Sequence, residues 1–116
     1  MLKQNNRLTK RKEFGYVYKN GKYANNNYLT LIYVPSKYKN IKIGFSVSKK
    51  IGKAYVRNKI KRQLREIIRL NLNDLQESFN YIFVTKPEIT TLTYAQIKDA
   101  VMDVLTRANK LKWKYF

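Results

Sequence analysis

Residues 41–65 read Ile41-Lys42-Ile43-Gly44-Phe45-Ser46-Val47-Ser48-Lys49-Lys50-Ile51-Gly52-Lys53-Ala54-Tyr55-Val56-Arg57-Asn58-Lys59-Ile60-Lys61-Arg62-Gln63-Leu64-Arg65, and two periodicities meet inside this stretch. In its first eight residues Ile41, Ile43, Phe45 and Val47 alternate with Lys42, Gly44, Ser46 and Ser48, the period-two pattern of a strand with one face on a core and the other polar. From Ala54 to about Leu72 the period is helical: Val56, Ile60, Leu64 and Ile67 fall within ~80° of arc at about 100° per residue. A strand feeding a long amphipathic helix requires a sheet on which that apolar stripe can lie.

Working outward, Phe14, Val17 and Tyr18 share one face of a helix over 9–20, which Gly21 stops. Tyr28-Leu29-Thr30-Leu31-Ile32-Tyr33-Val34 is β-branched and aromatic, ends at Pro35, and reads as a strand. Tyr81-Ile82-Phe83-Val84-Thr85, bounded by Asn80 and Pro87, reads as an interior strand. Thr93 and Gln96 form a capping-box pattern that opens a last helix, with Ile97, Val101, Val104, Leu105 and Ala108 on its buried face. The tail Lys110–Phe116 either extends this helix or lies loose, and 35–40 and 86–92 are the loops. The expectation is one domain over residues 1–116, an α+β sandwich with a sheet on one side and helices packed on it.

The chain has 116 residues, with 25 Lys and Arg against 7 Asp and Glu, a formal charge of +18. That charge is segregated: residues 1–65 hold 18 cations and the single acid Glu13, whereas residues 66–116 hold 7 cations and 6 acids. Charge serving solubility alone would be interspersed, so the asymmetry points to a half that binds a polyanion. The sequence has no Cys, which excludes disulfides, thiolate nucleophiles and thiolate metal sites, and no His, the usual general acid and base near neutral pH. Its carboxylates, Glu13, Glu66, Asp74, Glu77, Glu88, Asp99 and Asp103, are dispersed. No catalytic residue and no metal ligand is therefore assigned, and the protein is expected to do no chemistry with its own side chains. The opening residues Met1 to Arg7 lack the apolar run of a secretory signal, and no stretch is apolar enough to span a bilayer, so a cytoplasmic location and no membrane partner are expected.

The densest feature is the basic helix. Arg57, Lys61, Arg65 and Arg69 follow at four-residue steps, with Asn58 and Arg62 beside them, and are expected on the side facing away from the apolar stripe. Like charges so spaced oppose an isolated helix by about 0.2–0.5 kcal/mol per pair until an anion is bound. Arg grips phosphate bidentately and Asn reads base edges or sugar hydroxyls, a mixture that suits folded RNA better than lipid. Lys49-Lys50-Ile51-Gly52-Lys53 ahead of the helix offers cations and exposed amides to phosphate, without the spacing of a nucleotide-binding P-loop. The competing readings are a ribosomal protein or general RNA chaperone, a membrane-surface protein, and a nuclease using its own side chains. A membrane-surface protein needs bulky apolar residues free to insert, whereas Val56, Ile60 and Leu64 are needed by the core.

The run Ser-Val-Ser-Lys-Lys-Ile-Gly-x-Ala-x-x-Arg-Asn-Lys-Ile-Lys-Arg-x-x-Arg-Glu over Ser46–Glu66 resembles the signature of the bacterial ribonuclease P protein family. Asn6-Arg7-Leu8, Glu13-Phe14 and Val17-Tyr18-Lys19-x-Gly21 resemble that family's N-terminal segment, and length, charge and element order agree across the chain. Two positions depart: the family's Arg-Asn-Arg is Arg57-Asn58-Lys59 here, which keeps charge but not the planar fork, and Tyr18 stands where a Phe is usual. The resemblance implies a two-layer α/β sandwich like the second domain of ribosomal protein S5, with a left-handed βαβ crossover through the basic helix. It implies a protein subunit, monomeric before assembly, that partners a catalytic RNA and precursor tRNA in endonucleolytic removal of the 5′ leader. The chemistry would belong to the RNA with Mg2+, and the protein itself would hold no cofactor. Lys49, Lys50, Lys53, Arg57, Asn58, Lys59, Lys61, Arg62, Arg65 and Arg69 are the expected RNA-binding residues. Phe14, Tyr18, Ser46, Ser48, Lys61 and Arg65, with Leu31 or Tyr33 as the strand residue, are expected to form the cleft for the single-stranded leader.

Overall fold

The computed structural model describes residues 3–112. Its elements are α1 (Arg11–Asn20), β1 (Lys22–Asn25), β2 (Leu29–Pro35), β3 (Lys42–Ser46), α2 (Ala54–Asn71), β4 (Phe79–Thr85) and α3 (Tyr94–Arg107), with short 3₁₀ turns between them. The strands form one sheet in the order β1-β2-β4-β3. β1 and β4 pair antiparallel with β2, while β3 and β4 are parallel, so α2 is the crossover of a βαβ unit.

The period-two alternation of β2 and β4 sorts their side chains onto two faces. Leu29, Leu31, Tyr81 and Phe83 join Ile60, Leu64, Ile67 and Ile68 of α2 and Ile97, Val101, Val104 and Leu105 of α3 in the main core. Each fully buried aliphatic or aromatic side chain there stabilises the fold by roughly 1.5–3 kcal/mol. Ile32, Val34 and Ile82 point the other way, into a smaller cluster under α1 with Leu8, Val17 and Phe14. The Tyr81 hydroxyl, carried into the core, donates to the Gln76 carbonyl at 2.7 Å, and burial pushes its pKa well above the ordinary phenol value.

α3 starts where the capping box places it: Gln96 N–H donates to Thr93 Oγ1 and the Gln96 side chain accepts from Thr93 N–H at 2.9 Å. Gly21 ends α1, its N–H bonded to the Val17 carbonyl at 2.8 Å. Four expectations are corrected. The segment 22–25, without apolar alternation and unassigned from sequence, is a strand, β1, which forms because the free edge of β2 offers backbone partners. β4 begins at Phe79, so Asn80 pairs inside the strand and does not bound it. The loop 86–92 contains a 3₁₀ turn, Pro87–Thr91. The second face of β3 is not simply polar, for Gly44 is buried beneath Phe14 and Leu8. At the C-terminus, α3 ends before Asn109, which adopts φ 56°, and Leu111 bridges back to Leu75; Trp113–Phe116 lie outside the described residues.

Candidate nucleic-acid interface

β3 is an edge strand, and its outer edge is where α1, α2 and the N-terminal segment converge. Arg7 bridges to Ile43, and Leu8 N–H donates to the Ile43 carbonyl at 2.9 Å, so residues 7–9 run beside the strand. Asn6 fixes this segment, its side-chain amide donating to the carbonyl of Ile41 at 2.7 Å. Phe14 reaches over Gly44 from one side, and Lys61 and Arg65 of α2 come from the other. Together with Arg7, Ile43 and Phe45 they line a cavity of about 170 Å3. The structure thus brings Phe14, Lys61 and Arg65 to one cavity, and it adds Arg7, which the sequence places only in the family-like N-terminal segment, and Phe45, which it places only on the core face of a strand.

The cationic ladder is not one surface. Each four-residue step on a helix advances about 400°, or about 40° beyond a full turn, so a row so spaced winds around it. Arg57, Lys61 and Arg65 are half-buried, with Arg57 next to the apolar stripe, which corrects the expectation that the whole row faces away into the open. Asn58 and Arg62 are exposed and face outward. Lys59 lies on the other flank, lining a groove with Thr90 and Leu92 next to α3. Arg69 closes the row, its Nε donating to Glu66 at 2.8 Å. Arg57 Nε is buried with no hydrogen-bond acceptor among the described residues. The turn before α2 holds Lys49, Lys50 and Lys53 exposed around Gly52, whose φ of 147° suits only glycine.

The aromatic side of the expected cleft is rearranged. Phe14 and Tyr18 stay together, their ring centroids 6.4 Å apart. Leu31 is fully buried in the main core, on the face of the sheet opposite α1, so it cannot meet a strand lying against Phe14. Tyr33 shares that opposite face, packed edge-on to Phe79 with Lys110 Nζ 5.0 Å from its ring centroid. Burial, reinforced by repulsion from Lys22, lowers the pKa of that ammonium. The exposed ring on the α1 face is Tyr23, directly opposite Ile32 in the β1–β2 register, and its hydroxyl donates to the Tyr18 carbonyl at 3.0 Å. Ser46 is half-buried with its carbonyl accepting from Thr85 Oγ1 at 3.2 Å, and Ser48 is exposed at the turn into α2.

The one acid among the first 65 residues is withdrawn from this surface. Lys42 Nζ donates to Glu13 Oε2 at 3.1 Å, and the backbone N–H groups of Lys10 and Thr9 donate to Oε1. Burial alone would raise the Glu13 pKa; those hydrogen bonds and the Lys42 charge overcome it and hold the carboxyl below its ordinary range. A cavity of about 490 Å3 between the 25–28 turn and α3 has a different character. Asp99 and Asp103 balance Lys86 and Arg107 there, and Asn26 is engaged by the Tyr28 and Leu29 amides, the Ala100 carbonyl and Asp103. Among the described residues no group of three or more acidic side chains is placed to hold a metal ion, and no helix is long and apolar enough to cross a membrane.

Rings and cations around a sheet edge, with Glu13 sequestered by Lys42, define a small basic α+β protein built to meet nucleic acid. The comparisons with known proteins agree. The family model for ribonuclease P matches residues 2–109. The ribonuclease P protein component of Finegoldia magna is 40% identical over 107 residues, spanning 91% of this chain and 93% of its own. That of Clostridium botulinum is 38% identical over 89% of this chain and 94% of its own. The Staphylococcus aureus RNase P protein superposes with a TM-score of 0.87 at 29% identity, covering 92% of this chain and 98% of that one. The Thermotoga maritima RNase P protein gives 0.81 at 27% identity, covering 87% and 96%. The chain belongs to the ribonuclease P protein family, whose place is in tRNA processing.

Proposed function

We propose that this chain is the RNA-binding subunit of a ribonuclease P holoenzyme and uses two surfaces. The outward face of α2, with Asn58, Arg62 and the Lys49–Lys53 turn, engages the catalytic RNA. The cavity over the edge of β3 takes the single-stranded 5′ leader of precursor tRNA, bases against Phe14 and Tyr18 and phosphates on Lys61 and Arg65. The observation that carries this reading is that Phe14, Lys61 and Arg65, from two helices on opposite sides of one edge strand, line the same cavity. Unpaired nucleotides stack on aromatic rings at about 1–3 kcal/mol per base with little sequence preference, which suits leaders of differing sequence.

Cleavage is assigned to the RNA subunit with Mg2+. Among the described residues no group of three acidic side chains offers that ion a site, and Glu13, Glu66, Asp103 and Glu77 are each paired with a Lys or Arg. What the protein supplies is position and countercharge. Before assembly its net +18 opposes self-association, so it enters as a monomer, in the cytoplasm with its RNA partners. The test is reconstitution with the cognate RNA subunit and a precursor tRNA at limiting Mg2+. The protein is expected to raise leader cleavage, and an RNA that gains neither substrate affinity nor rate from it overturns the reading.

A further inference from the structure

Three of the chain's four glycines answer to the fold. A Cβ on Gly21 would lie 2.5 Å from the Val17 carbonyl oxygen, one on Gly44 would lie 2.6 Å from the Phe14 ring, and Gly52 has φ 147°. Gly15 answers to nothing inside the molecule. It sits in the middle of α1, exposed, and a Cβ there would meet no atom within 4 Å. Glycine is among the least favourable residues inside a helix, and alanine in its place would stabilise α1 without crowding anything.

The surroundings supply a use for the bare backbone. On a helix surface the neighbours of a residue lie at three and four positions on either side, which for Gly15 are Arg11, Lys12, Tyr18 and Lys19, all exposed. Arg11, Lys12 and Lys19 make no ion pair among the described residues. Glu13, the only acid on α1, projects about 160° around the helix from Gly15 and is held by Lys42. Gly15 is therefore a gap in the side-chain layer, ringed by three cations and a tyrosine, on the helix that carries Phe14.

We infer that the sugar–phosphate backbone of the leader crosses α1 at Gly15. The missing side chain lets the strand approach the helix backbone while Arg11, Lys12 and Lys19 take its phosphates and Tyr18 a base. Past the crossing the strand meets Tyr23, the exposed ring beyond the C-terminal end of α1. The inference rests on the leader reading above and extends it, from a cavity at one sheet edge to a track along a helix.

The test uses holoenzymes assembled with the cognate RNA and either the wild-type or the Gly15→Ala protein. Affinity is measured for two precursor tRNAs, one with a leader of about ten nucleotides and one with a leader of about one. The Gly15→Ala protein is expected to melt about 4 °C higher and to bind the long-leader substrate about fivefold more weakly, with the short-leader substrate unaffected. Tyr23→Ala is expected to weaken only the long-leader substrate. Unchanged affinity of Gly15→Ala for the long leader overturns the inference. An equal loss on both substrates also overturns it, because the patch would then face the RNA subunit or the body of the tRNA. A wild-type holoenzyme indifferent to leader length removes the leader reading itself, and this inference with it.

Discussion

Replacing Gly44 with alanine places a methyl group 2.6 Å from Phe14 Cζ, 2.8 Å from Phe14 Cε1 and 3.2 Å from Leu8 Cβ. Comfortable carbon contacts lie at about 3.5–4.0 Å, so the ring must retreat by about 1 Å or β3 must bend away from α1. Overpacking of this kind costs about 1–3 kcal/mol. With an intermediate cost of about 2 kcal/mol in a domain of this size, the unfolding midpoint should fall by about 8 °C. The same retreat carries Phe14 out of the cavity wall, so leader-dependent affinity in the holoenzyme should weaken about tenfold, the equivalent of roughly 1.4 kcal/mol and within the stacking range for one base. A double-mutant cycle separates the two effects. Phe14→Leu removes the ring that Gly44→Ala strikes, so the double variant should be about 1–2 kcal/mol more stable than the sum of the single losses predicts. It should still bind the leader weakly, because the ring is gone. Thermal unfolding measures the coupling, and titration with long- and short-leader precursor tRNAs measures the affinity. A Gly44→Ala protein as stable as wild type would refute the packing argument, and a cycle that closes to zero would show that Phe14 is not what the methyl meets.

Two further outcomes follow from the charges. The Lys61→Ala/Arg65→Ala protein should bind long-leader substrate with a log–log salt slope shallower by about 1.4, as two single-strand phosphate contacts require, whereas duplex contacts would give about 1.8; an unchanged slope would place both residues off the RNA. Glu13 has a folded-state pKa below its unfolded value of about 4.3, so its contribution is fully present above that pH and is lost as the pH falls through the lower folded value. Glu13→Gln should therefore cost about 1 kcal/mol at pH 7 and progressively less as the pH is lowered below about 4.3, measured by denaturant unfolding across that range.

The legible parts of the fold were those whose pattern is local. The period switch across Ile41–Leu72 marks both β3 and α2, and Thr93 with Gln96 marks the start of α3 to the residue. What escaped depends on partners distant in sequence. β1 exists because β2 has a free edge, and four residues with little apolar content cannot announce that on their own. Which face of β2 looks toward α1 is a question of parity: Ile32 and Val34 face the helix, and Leu31 and Tyr33 face away. A single-residue change in parity exchanges the two sets, so neither Leu31 nor Tyr33 could be placed from the strand's composition. The ring that does lie on the α1 face, Tyr23, belongs to the strand that had no signal.

The basic helix shows the same limit from the other side, because its residues were legible and their directions were not. Repeats of four drift by only about 40° per step, so Arg57, Lys61 and Arg65 span an arc of about 80°, as wide as that of Val56, Ile60 and Leu64, and spacing alone does not say which of them stays open to solvent. In α2 it is packing that parts them: Arg57, Lys61 and Arg65 are half-buried, the last two lining the cavity over β3, while Asn58 and Arg62 are exposed. A strict single-face row would serve one polyanion. A row that is half-buried at one cavity and open beside it can serve two, and here Lys61 and Arg65 meet the cavity over β3 while Asn58 and Arg62 stay exposed. Separate surfaces on one rigid helix fix the distance between their ligands. The leader would be held in register with the catalytic RNA by the geometry of α2 itself.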